Sequence, residues 1–157
     1  AARQGRHRRP PSAPRGQVQV TRLLFDLNVV LDVLFDRRPH VEAAAGLWAA
    51  IERGEAEGMI AAHGVTALHY LAARAASPAF ARRCVADVLT VFAVAPVDAK
   101  VLSDALALEF TDFEDAVCAA AASASQCQAI VTRDRRGFKK ARLPALTPAE
   151  ALAIVLA

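Results

Sequence analysis

Apolar residues along this chain follow two rhythms, short unbroken runs and three- or four-residue spacings, and the two alternate. Leu23, Leu24 and Phe25 are consecutive, as in a parallel strand buried on both faces, whereas Val29, Val30, Val33 and Leu34 recur at helical spacing. Val41, Ala44, Ala45, Trp48 and Ile51 predict a helix that ends near Gly54, and Met59 to Ala62 reads as a second strand. His63 to Arg74 is helical, with Val65, Leu68, Tyr70 and Leu71 as core positions, and Ser77-Pro78 opens another helix running to about Leu89. Val91 to Ala95 is a third strand, Asp98 starts a helix through Leu108, and small residues predict a helix from Phe113 to about Gln126. A fourth strand covers Ala129 to Thr132, and Thr147-Pro148-Ala149-Glu150 carries the capping-box order for a last helix over Pro148 to Val155. Strands alternating with helices over short connections predict an α/β fold with a parallel sheet covered on both faces.

Composition changes this picture little. A chain of 157 residues suits one domain, and 55% hydrophobic content is globular, with much of that share in alanine that favours close helix packing. Charge is unevenly placed. Residues 1 to 22 hold six arginines and no acid, so the rest of the chain carries 13 basic and 16 acidic side chains. Residues 1 to 17 lack large apolar side chains and read as a disordered basic arm, either a solvated extension or a phosphate-binding tail. Residues 18 to 157 form the folded unit.

Cys84, Cys118 and Cys127 form no close pair, and their odd number excludes a complete disulfide framework, which fits a reducing cytoplasm and buried thiols. His63 and His69 stand six apart, too far for one metal on a helix, so no zinc site is expected and His69 reads as a packed histidine. No run of eighteen apolar residues predicts a membrane span, and neither a dinucleotide fingerprint nor a phosphate-cradling lysine loop is present.

The chemistry lies in the acids. Asp26 ends the first strand, at the sheet edge where open α/β folds bind ligands and where the next helix turns its partially positive end. Thr132 and Asp134 alternate onto one side at the end of the fourth strand, with Val131 and Arg133 on the other. Asp112 and Asp115 are three apart and share a face at the opening turn of a helix. Carboxylates so placed repel, and a hard divalent ion is the simplest remedy. That points to water attack on a phosphodiester. Each acid also has a local reading: Asp26 and Asp112 as helix caps, Asp134 as the opening of the Arg135-Arg136-Gly137 turn. Asp32, Asp36 and Asp104 read as members of solvated helix faces.

Four segments in this order, Leu-Leu-Phe-Asp26-Leu-Asn28-Val-Val-Leu-Asp32, Asp112-Phe-Glu-Asp115-Ala, Ile-Val-Thr132-Arg-Asp134 and Leu-Thr-Pro-Ala-Glu150, resemble a PIN domain, notably the bacterial VapC-like toxins. The resemblance spans about residues 22 to 155. It implies a three-layer α/β/α sandwich and Mg²⁺- or Mn²⁺-dependent cleavage of RNA. By motif match Asp26, Asp115 and Asp134 take the metal-binding acid positions, with Asn28 and Thr132 in supporting polar positions. A cognate antitoxin and a second copy of the chain are the protein partners it suggests, with no membrane.

Two departures accompany it: Leu27 stands where a small hydroxyl residue is common, and Ala67 where the family usually carries a glutamate, with no acid between Glu57 and Asp87. Either Asp112 supplies the absent ligand, or the site binds metal weakly. The leading reading is therefore a toxin-type ribonuclease whose RNA contacts come from Arg133, Arg135, Arg136, Lys139 and Lys140. The second is a catalytically impaired module that binds RNA or a protein. A phosphatase with Asp26 as nucleophile fits less well, because Asn28 stands where its second acid belongs.

Overall fold

A computed structural model describes residues 20–157. The basic arm expected over residues 1 to 17 lies outside them. The elements follow one another as β1 (Arg22–Phe25), α1 (Leu27–Leu34), α2 (Val41–Glu52), β2 (Glu57–Ala61), α3 (Ala62–Ala75), α4 (Pro78–Val91), β3 (Ala93–Ala95), α5 (Ala99–Ala107), α6 (Phe113–Ala124), β4 (Ala129–Val131), β5 (Ala145–Leu146) and α7 (Pro148–Leu156). The five strands of the described residues are all parallel and lie in the order β3-β2-β1-β4-β5. From central β1 the chain builds outward to β2 and β3 on one side, then crosses to β4 and β5 on the other. The gap between β1 and β4 is thus a topological switch point.

The two-residue strand period sorts the core into two layers. Leu23, Phe25, Ile60, Ala129 and Val131 point to a cluster shared with α1, α2, α3, α4 and α7, whereas Leu24, Met59, Ala61, Ala95 and Ile130 face α5 and α6. This is the expected three-layer α/β/α sandwich. Helix α6 reaches the sheet closely because Ala119, Ala120, Ala121 and Ala122 are all buried. Among the described residues no helix is long and apolar enough to cross a membrane.

The start signals act as expected. Ser77 Oγ accepts from Phe80 N at 3.1 Å, Asp98 Oδ1 accepts from Val101 N at 2.9 Å, and Thr147 and Glu150 close a reciprocal capping box. Gly54 follows the α2 cap at φ 77°, the left-handed turn-off that glycine adopts without strain.

Several expectations are corrected. Val91 belongs to α4, because helical propagation carries past Leu89 and leaves only three residues for β3. Strand β5 is too short to show as a period; it is held by Ile130 N–H to Pro144 O and Thr132 N–H to Leu146 O, both 2.9 Å. Tyr70 and Leu71 are exposed rather than core, since α3 packs on α4 through Leu68 and Ala72. His69 is exposed rather than packed, on the same outer side of α3. The largest correction is Asp32, which is 0% exposed rather than solvated.

Candidate active site

Asp26 stands one residue past β1, at the N-terminus of α1, in extended geometry (φ −62°, ψ 139°) and without a side-chain capping bond. Its carboxylate is turned across the switch point, where Thr132 Oγ1 donates to Asp26 Oδ2 at 3.0 Å. The amides of Leu27 and Asn28 face the carboxylate and favour its charge without closing a cap. Burial outweighs both influences and raises the Asp26 pKa, and Glu114 adds to the rise. Asn28 is exposed.

Thr132 is 0% exposed and serves both strand ends, because its Oγ1 also accepts from Asp134 N at 3.0 Å. Asp134 then accepts from Gly137 N at 3.2 Å, so the turn reading of this acid holds as well. A Cβ on Gly137 would lie 2.9 Å from Asp115 Oδ2 and 3.0 Å from Asp134 Oδ2. Both carboxylates therefore face one point, and the glycine keeps the space between them open. Asp115, in the first turn of α6, is pushed up to about 6 by burial, then by Asp112, Asp26, Asp134 and Glu114. Asp26, Asp115 and Asp134 are thus brought together at one edge by three separate segments.

Asp112 is mainly a cap: its Oδ1 accepts from Glu114 N at 2.9 Å and Asp115 N at 3.2 Å. The basic side chains divide. Arg136, Lys139 and Lys140 join Asp112, Asp115 and Asp134 around a cleft of about 260 Å³. Lys140 Nζ donates to Glu109 O at 2.8 Å, Arg135 pairs with Glu150 of the α7 capping box, and Arg133 turns away to Asp32. Among the described residues Arg136 and Lys139 have no ion-pair partner.

Among the described residues no three His, Cys, Asp or Glu side chains are close enough to hold one ion as they stand. The acids ring an open site rather than a closed cage. Its donors nevertheless suit a hard divalent cation: they are carboxylate oxygens, burial and then the neighbouring carboxylates raise the Asp115 pKa, and the space beside Gly137 lies between two of them.

A family model described as a PIN domain matches residues 22–136, most of the chain. The chain belongs to the PIN domain family. Among solved structures, VapBC2 from Rickettsia felis bound to a DNA fragment from its promoter is similar at 14% identity and TM-score 0.64, over 81% of this chain and 98% of that one. A toxin–antitoxin complex from Klebsiella pneumoniae is similar at 23% identity and TM-score 0.60, over 82% and 98%. VapC20 from Mycobacterium tuberculosis, described as a sarcin-ricin loop cleaving toxin, is similar at 20% identity and TM-score 0.58, over 69% and 86%. Comparison with curated proteins gave no match.

In this PIN domain Ala67 opens onto a groove of about 550 Å³, shared with His63, Thr66, Tyr70, Phe113 and Glu114. The three-residue spacing of Asp112 and Asp115 leaves Glu114 on another face of α6, so spacing alone does not select it. Its charge acts on Asp26, Asp115 and His63 alike. The run of three acids within four residues was the available signal. His63 Nε2 lies 3.7 Å from the buried Cys118 Sγ, and burial lowers the His63 pKa against the opposing charge of Glu114.

Proposed function

We propose that this PIN domain is a Mg²⁺- or Mn²⁺-dependent ribonuclease, the toxin of a toxin–antitoxin pair. The observation that carries the reading is the meeting of Asp26, Asp115 and Asp134 at the β1/β4 switch point, with Thr132 bonded to both strand ends. Asp26, Asp115 and Asp134 would hold the ion. When bound, the ion makes water a nucleophile near neutral pH and stabilises charge on the phosphodiester oxygens. Thr132 keeps Asp26 aimed at the site, Gly137 keeps the gap between Asp115 and Asp134 clear, and Arg136 and Lys139 attract the RNA backbone at the cleft. RNA as substrate is supported by the chain's resemblance to ribonuclease toxins, by the neighbour described as a sarcin-ricin loop cleaving toxin, and by Arg136 and Lys139 beside the acids. A cognate antitoxin is supported by the neighbour described as a toxin–antitoxin complex.

The position of Ala67 favours a second reading, a weakly catalytic module that binds RNA or a protein partner. Asp112 has one oxygen beyond its cap, and Glu114 faces the groove beside Ala67, so either acid could complete the ligand set in place of the absent glutamate. Cleavage of a fluorescent RNA in Mg²⁺, Mn²⁺ and EDTA tests the leading reading. Metal-dependent cleavage that EDTA abolishes is expected. RNA binding without cleavage in either metal would support the module instead.

A further inference from the structure

Asp32 is a carboxylate with no exposed surface in the last turn of α1, a position that sequence reading gives to solvent. A buried carboxylate is costly unless an opposite charge accompanies it. Here Arg133 Nε lies 2.8 Å from Asp32 Oδ2, and Arg37 approaches Oδ1 only at 3.9 Å. Neither Asp32 oxygen receives a well-aligned hydrogen bond, so the Arg133 contact is a close ion pair of oblique geometry rather than an ideal fork. The arginine side chain is 32% exposed and so has no need of the interior for its own sake. The carboxylate is what draws it in.

Arg133 lies between Thr132 and Asp134. Strand alternation sends those two neighbours toward Asp26 and sends Arg133 back toward α1. The turn is consequently gripped from both sides by one helix: Thr132 bonds to Asp26 at the start of α1, and Arg133 pairs with Asp32 near its end. Releasing the second grip would free the turn to rotate about the first, taking the Asp134 carboxylate away from Asp115.

We propose that Asp32 and Arg133 form a positioning pair that sets the Thr132–Asp134 turn against α1, and that Arg133 acts through this pair rather than by contact with RNA. The inference rests on the metal reading of the site for one of its readouts only. Asp32→Asn, Arg133→Met and the double variant would be compared with the parent by amide hydrogen exchange, by Mn²⁺ calorimetry, and by RNA affinity in EDTA.

Exchange at the Arg133 and Asp134 amides should speed up about tenfold or more, with Ala129 to Val131 unchanged. Mn²⁺ affinity should fall about 10- to 100-fold, the usual effect of losing a residue that orients a ligand. RNA affinity in EDTA should stay within about twofold, because no phosphate-binding cation is removed in Asp32→Asn and the arginine is already engaged. Arg133→Lys should recover part of the Mn²⁺ affinity. If Arg133→Met leaves Asp32 uncompensated and does not fold, the double variant, which removes both charges, carries the comparison. Unchanged exchange at Asp134 would overturn the proposal. So would a loss of RNA affinity in Arg133→Met that Asp32→Asn does not share. A parent that takes up no Mn²⁺ would overturn the metal reading of the site, and exchange alone would then decide the pair.

Discussion

Strands β1 and β2 run side by side in register, and each passes directly into a helix, yet their carboxyl ends are furnished oppositely. Past β1 stands Asp26, bonded to a hydroxyl, raised in pKa by burial and facing two further carboxylates. Past β2 come His63, whose Nδ1 is buried without a partner, and then Ala67. The backbone offers both ends the same advantages, a sheet edge and a helix N-terminus. Only the first has been given charge and a hydroxyl to aim it. The fold therefore supplies the crevice, and a few side chains decide whether metal chemistry is done there.

Three variants would break or sharpen that contrast. The largest effect is expected at the furnished end. Thr132→Val keeps the shape of the side chain but removes the bonds to Asp26 and Asp134, so RNA cleavage in saturating RNA should fall about 10- to 100-fold, with a higher Mg²⁺ requirement. Parental rates in this variant would mean that Asp26 needs no support. The unfurnished end should respond in the other direction. Ala67→Glu places a carboxylate on the groove beside Glu114, and cleavage at limiting Mg²⁺ should rise by about tenfold, one added ligand being worth that order. No gain would indicate that Asp112 or Glu114 already fills the role.

The smallest effect concerns stability. Asp115 titrates at about 6 in the folded chain, above its ordinary value of 3.8. Between those values the folded protein holds a proton that the unfolded chain has lost, so metal-free stability falls as pH rises through that window. Asp115→Asn should therefore stabilise the metal-free protein at pH 7 by about 1 kcal/mol, after discounting for partial exposure, and should lose Mn²⁺ binding. A lower Tm at pH 7 would show that Asp115 is held by favourable contacts rather than disfavoured by burial and by its neighbours.

Much of this contrast was legible in the sequence. Leu23 to Phe25 stops at a carboxylate, Thr147 to Glu150 announces its own capping box, and the acids at residues 26, 115 and 134 each follow or open an element at the same sheet edge. What escaped was set by long-range packing. Strand β5 has two residues and no period of its own, and its partners come entirely from β4. The exposure of Tyr70 and Leu71 depends on α4 covering only the Leu68 and Ala72 side of α3. Asp32 meets Arg133 from just past β4, about a hundred residues further along the chain, although α1 itself carries a clue: six of its eight residues, Leu27, Val29, Val30, Leu31, Val33 and Leu34, are apolar, and only Asn28 is exposed. A charge on the inner side of so apolar a helix asks for a partner.

The most direct test of the site is the location of a bound ion. Anomalous scattering from a crystal soaked in Mn²⁺ should give a peak among the Asp26, Asp115 and Asp134 carboxylates, in the space beside Gly137. A peak elsewhere, or none at Mn²⁺ concentrations that support cleavage, would contradict the assignment of those three acids as the metal-binding centre.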